Sequence, residues 1–250
     1  MLVPVLCAFM ACGCTEATDG EGHGGMGEVR FACGVAAGIA TADGATRTLP
    51  AEMVPEAGEL SLAISGSDGE VLSYDAFADY DSPKLLEGEY TATFTYGDME
   101  REGADAACFS GEETFSIVAR TTAECSVSVA LANAAVTASL SEWFGKYYES
   151  YDIRVTTASG TEVACTEYGE PEAAPVFVQA DTELYFSGTA VKTNGAEVSF
   201  PETMIGTAAA RTWHTVVIDA GQAGGAGITI QLDDTPVDVV EIPVELNPNV

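Results

Sequence analysis

The residues able to carry chemistry are few and scattered. Histidine occurs only at His23 and His214, so a His-dependent catalytic triad has almost nothing to assemble from. His214 sits in TWHTVVID in phase with Val216 and Ile218, which is the pattern of a core or half-buried histidine on a strand. There is no Gly-x-Ser-x-Gly, His-Glu-x-x-His or phosphate-binding loop. Carboxylates are abundant, but none is marked out as an acid–base pair. The densest loop group is Asp75, Asp79 and Asp81, the best calcium candidates, although their spacing does not follow the twelve-residue calcium loop. The acidic turn at 67–70 is also explained by Asp-Gly turn geometry. Trp143, Tyr147 and Tyr148 crowd a short stretch, SEWFGKYYESY, and rings of this kind can stack on sugars. Neither cofactor nor catalytic residue is expected, and the chain reads as a non-enzyme.

Seven cysteines divide into two groups. Cys7, Cys12 and Cys14 lie in the opening MLVPVLCAFMACGC, an uncharged run too short to span a bilayer and of the right length for a secretory signal. It resembles a bacterial lipoprotein signal, in which small residues precede a cysteine that is lipidated. Cys14, after Ala11, Cys12 and Gly13, is the chosen lipidation site, with Cys12 as the alternative. Residues 15–26 are small, acidic and Gly-rich, the composition of a flexible tether. Cys33, Cys108, Cys125 and Cys165 make up the second group. They lack the paired spacing of a zinc site, and three disulfide pairings stay open alongside free thiols.

The elements that must position these residues read as strands. The chain is 250 residues long and rich in Val, Thr, Tyr and Gly, a mix that favours strands and turns. In the run 124–140, ECSVSVALANAAVTASL, apolar residues occupy odd positions to Leu131 and even positions from Ala134. Side chains alternate faces along a strand, so this change of parity at Asn133 sends the apolar set to the opposite face. The pattern predicts two tandem β-sandwich domains of the immunoglobulin-like or transthyretin-like kind. The expected divisions are a signal peptide at 1–14, a tether at 15–26, a first domain at 27–132 and a second at 133–248. Aromatic residues at helical spacing predict one short helix near 141–150. Asn194-Gly195 between alternating runs predicts a two-residue hairpin. In the final run, 237–246, Val240, Ile242, Val244 and Leu246 share a face, while Pro243 argues for an edge strand.

The balance of 9 Lys and Arg against 39 Asp and Glu gives a net charge of -30. Such a surface repels phosphate backbones, so nucleic acid is excluded as a partner.

The pieces ISGSDGEVL, LEGEYTATFTYGD, FSGEETFSI, ALANAAVTASLSEWFGKYY and TWHTVVID come in an order that resembles an uncharacterised family of cell-surface lipoproteins from Bacteroidetes, a domain of unknown function. The resemblance spans about residues 27–247. It implies a protein attached to the outer membrane through its N-terminal lipid and exposed at the cell surface, fimbrillin-like in style, with a structural or adhesive role. Apart from the resemblance, the aromatic stretch makes glycans one expected partner, and the terminal strand 237–246, or the one near Gly27, makes other surface or pilus subunits another, through strand addition. No site residues transfer from the family.

Overall fold

The computed structural model describes residues 24–67, 69–220, 227–240 and 242–244. Cys12, Cys14, His23, Asp68, Leu246 and most of the Gly-rich loop 221–227 lie outside the described residues. The fold is all-β, with several sheets, a single short α-helix and a few 3-10 turns among the described residues.

The N-terminal strands are β1 (Met26–Val35), β2 (Gly38–Thr41) and β3 (Thr46–Thr48). There follow β4 (Ser61–Gly66), β5 (Gly69–Tyr74), β6 (Leu85–Leu86), β7 (Gly88–Tyr96), β8 (Phe109–Ile117) and β9 (Thr122–Leu131). Seven of these form one sheet in the order β5-β4-β7-β8-β9-β1-β6. The sheet folds over on itself. Strand β9 pairs with β8 only at Leu131 and Ala130, then runs parallel to β1 from Thr122 to Val129. Gly111 sits at this corner, where a Cβ would come within 2.3 Å of the Ser128 carbonyl oxygen. Only a glycine lets the two backbones approach so closely.

The remaining elements are β10 (Ala134–Leu140), α1 (Glu142–Tyr147), β11 (Tyr148–Thr157), β12 (Glu162–Val163), β13 (Cys165–Thr166) and β14 (Val176–Val178). They are followed by β15 (Thr182–Lys192), β16 (Glu197–Ala208), β17 (Thr212–Asp219), β18 (Gly227–Leu232), β19 (Thr235–Val240) and β20 (Ile242–Pro243). One sheet runs β13-β10-β17-β18-β19, with β14, β2 and β3 attached; the other runs β12-β11-β15-β16-β20. The β15–β16 hairpin turns at Asn194-Gly195, with Gly195 at φ +84. Asp233 and Asp234 join β18 to β19 with φ of +50 and +65, the left-handed pair that a two-residue hairpin demands.

Two buried clusters result. One gathers Cys125, Val127, Val129 and Leu131 with Leu60, Leu62, Ile64, Phe94 and Phe115. The other gathers Ala134, Val136, Ala138 and Leu140 with Val155, Phe186, Val216, Ile218 and Ile230. Val129 and Val136 therefore serve different cores, on either side of Asn133. Asn133 is itself fully buried. Its Oδ1 accepts from the Cys108 backbone N–H at 3.1 Å, its Nδ2 donates to the Ala106 carbonyl at 2.8 Å, and its own carbonyl accepts from the Arg211 N–H at 2.8 Å. A buried amide with every group satisfied fixes the bend.

The sequence did not expose how tightly the two clusters abut. The β2–β3 hairpin, 38–48, leaves the first sheet and pairs with β17 through Ala40 and Thr41. Strand β10 is buried on both faces: Ala135 lies opposite Phe177 and Trp213 in register, and all three belong to the first cluster. At the chain's end Val239 is the core residue, at 2% exposure. Val240, Ile242 and Val244 stand outward at 66%, 51% and 42%.

Candidate functional site

The aromatic stretch does not form a three-ring platform. Ser141 caps α1 by accepting from the Phe144 N–H at 3.2 Å, and the helix ends at Tyr147. From Tyr148 the backbone is extended, so helical spacing no longer decides which way the rings face. Tyr148 is 4% exposed and packs on Phe144 and Phe200 with ring centroids 4.7 and 5.9 Å away. It is a core residue, which corrects its reading as a stacking ring. Tyr147 is half-buried against the same core. Trp143 alone is outward, at 43% exposure, with the Lys146 ammonium 4.5 Å from its ring centre.

Asp75, Asp79 and Asp81 are exposed around the short 3-10 turn Phe77–Asp79. Asp81 accepts from the Tyr74 hydroxyl at 3.1 Å. Among the described residues no group of three or more His, Cys, Asp or Glu side chains is placed to hold a metal ion. The three aspartates are therefore not brought together as ligands.

The four cysteines are free thiols, and burial raises the pKa of each. Cys165 is pushed up to about 11. Such thiols stay protonated near neutrality and make poor nucleophiles. No helix among the described residues is long and apolar enough to cross a membrane.

Two polar constellations were not visible in the sequence. The first is an open cleft of about 350 Å³ where the β2–β3 hairpin meets β17 and the β18–β19 turn, with Asp43, Arg47, Trp213, Thr215 and Asp234 in its lining. The Arg47 guanidinium lies 4.4 Å above the Trp213 ring and pairs with Glu172. Behind it, buried His214 contacts Asp233 through Nδ1, and Asp233 also accepts from the Thr215 N–H at 2.9 Å. His214 is buried, as its phase on the strand implies, and it holds the β18–β19 turn through Asp233.

The second lies where the loop after β7 meets the second core. Glu102 accepts from the Thr157 hydroxyl at 2.6 Å, from the Ser159 hydroxyl, and from the Gln179 N–H at 3.0 Å. Burial pushes its carboxyl up, but the donors from Ser159, Thr157 and Gln179 outweigh it and hold the pKa below the ordinary glutamate value. Nearby, Gly103 and Phe177 exchange backbone hydrogen bonds at 2.9 and 3.0 Å. This is a clasp between two regions of the chain.

Among solved structures, the chain is similar to a fimbrial assembly protein from Parabacteroides distasonis. That match has 8% identity, covers 86% of this chain and 97% of the other, and has a TM-score of 0.48. A candidate polysaccharide-binding protein from Bacteroides thetaiotaomicron matches at 8% identity over 88% and 98% of the two chains, with a TM-score of 0.42. A candidate cell adhesion protein from Bacteroides ovatus matches at 9% identity over 89% and 99%, with a TM-score of 0.39. No curated protein matches the chain. The family model for Domain of unknown function (DUF4493) matches residues 25–248, the whole described β structure, and the chain belongs to that family.

Proposed function

We propose that the protein is a non-enzymatic cell-surface component, structural or adhesive, held at the outer membrane by a lipid on Cys14. The observation that carries the reading is the uncharged leader ending in Ala11-Cys12-Gly13-Cys14, followed by an acidic, Gly-rich stretch and then directly by β structure from Met26. Inert thiols, a histidine committed to a turn and dispersed carboxylates supply no reacting centre, which favours a scaffold over a catalyst. Several acyl chains on one N-terminus anchor a protein stably, whereas one chain alone is marginal. Labelled palmitate should enter the full-length protein and be lost in Cys14→Ala. Equal labelling of that variant moves the anchor to Cys12, and no labelling of either form overturns it.

A second reading, subunit assembly by strand addition, is favoured by the state of β20. Among the described residues it pairs with β16 at Val198 and Ser199, the Val244 N–H donates to the Glu197 carbonyl at 3.0 Å, and the exposed Ile242 lies at the end of its sheet. An exposed sheet edge is a template for another chain. Ladders of the purified protein on a gel support this reading, and a strict monomer opposes it. Glycan capture by the 143–148 stretch would rest on Trp143; a glycan-array signal unchanged in Trp143→Ala removes it.

A further inference from the structure

One end of the first sheet carries an apolar rim at the point where the chain enters the fold. Met26, Leu86 and Val118 are 49%, 54% and 53% exposed, and they are neighbours. Met26 pairs with Leu86 in register. The Met26 carbonyl accepts from the Arg120 N–H at 2.8 Å, in the turn that begins at Val118. Gly27 presses against that turn, where a Cβ would lie 2.5 Å from the Val118 carbonyl oxygen. The opposite end of the same sheet faces the rest of the molecule. Strand β7 runs from Gly88, opposite Ile117, to Tyr96, opposite Phe109, a span of about 30 Å. The Glu102 clasp and Asn133 lie beyond that far end.

We propose that this pole is a membrane-contact surface, with Met26, Leu86 and Val118 seated at the interface of the lipid layer that holds the anchor. The inference rests on the lipid-anchor reading of Cys14. Nine residues, 15–23, separate Cys14 from the first described residue. A chain of that length reaches about 30 Å at most. The pole therefore stays within reach of the bilayer at all times. A tether that short gives a millimolar effective concentration, so a weak contact suffices.

A second protein copy fits the patch poorly, because a standard interface engages about 20–30 residues a side. Lys84 and Arg120, two of only nine basic residues, flank the rim, where long cationic side chains can reach headgroups. Glu28 and Glu87 are also near, and Arg30 pairs with Glu124 at 4.0 Å. The match is therefore to the apolar and interfacial layer rather than to a strongly anionic one. The second core then stands away from the membrane, at the far end of the first sheet.

The test uses full-length lipidated protein in phosphatidylethanolamine vesicles containing brominated lipid. Val118→Trp places a reporter at the pole, and Met99→Trp places one in the exposed loop at the opposite end. Above the background of Trp143 and Trp213, the added emission of Val118→Trp should fall by about half, as expected for a group seated ~5–10 Å into the headgroup boundary. Met99→Trp should show no added quenching. Adding Met26→Ser and Leu86→Ser to Val118→Trp should abolish its quenching while the protein still floats with the vesicles.

Protein that floats but shows no quenching at Val118→Trp, or equal quenching at both sites, overturns the docking and leaves the anchor standing. Protein that fails to float overturns the docking and the anchor together. Emission that shifts with protein concentration in the absence of lipid assigns the patch to a second copy and overturns the proposal.

Discussion

Strands β9 and β10 follow one another with only Ala132 and Asn133 between them, yet they are buried in different ways. In β9 the odd positions from Cys125 to Leu131 are buried while Glu124, Ser126 and Ser128 face solvent. In β10 nearly every residue is buried, on both faces. The even positions fill the second core. On the odd face Phe177 and Trp213 flank Ala135 in register and join it in the first core, while the Trp213 indole donates to Thr137 at 3.3 Å. A strand covered on one side needs only alternation. A strand covered on both sides needs small residues on the second face, which Ala135, Thr137 and Ser139 provide. The bend between them is thus a junction of two cores pressed together, stronger than a simple linker.

That contrast can be broken from either side. The largest effect is expected for Phe177→Ala, which opens a cavity beside Ala135 in the first core and should cost about 4 kcal/mol. Denaturant titration checks it, and a loss under about 1 kcal/mol would mean that the second face of β10 is closed by something else. Asn133→Ala should follow at about 3 kcal/mol, because it leaves the Cys108 N–H and the Ala106 carbonyl buried without their partner. Hydrogen exchange should show the Cys108 amide losing its protection.

The smallest effect belongs to Glu102→Gln, at about 1 kcal/mol for a partly exposed carboxylate with several donors. The folded state lowers this carboxyl's pKa, so its contribution is present above the ordinary value of 4.5 and lost as pH falls through the folded value. The stability gap between wild type and Glu102→Gln should therefore be full at pH 7 and narrow as the solution is acidified below 4.5. A gap that does not change with pH would show that the clasp does not depend on charge.

Much of the fold was legible because it is written in two-residue periods. The switch of parity at Asn133, the hairpin at Asn194-Gly195 and the alternating runs in β4, β7 and β15 are all local signals. What escaped had no local signal. Strands β2 and β3 are four and three residues long, too short to show a period, and their place on β17 is set by a distant pairing. Tyr148 was misread because α1 stops one residue before it, and a helix boundary is less legible than a helix. The Glu102 clasp and the Arg47–Trp213 cleft join residues far apart in the chain, so spacing could not reveal them. The candidate lipid site at Cys14 lies outside the described residues, and the apolar rim around Met26 became visible only once β1, β6 and the β8–β9 turn were brought together.

The central claim is that the odd-numbered apolar side chains of β9 and the even-numbered ones of β10 serve different cores, and a double-mutant cycle tests it most directly. Val129→Ala and Val136→Ala should each destabilise the protein, and their effects should add to within about 0.5 kcal/mol, as for residues that share no packing partners. A coupling energy of about 1 kcal/mol or more would place both valines in one common core and contradict the account.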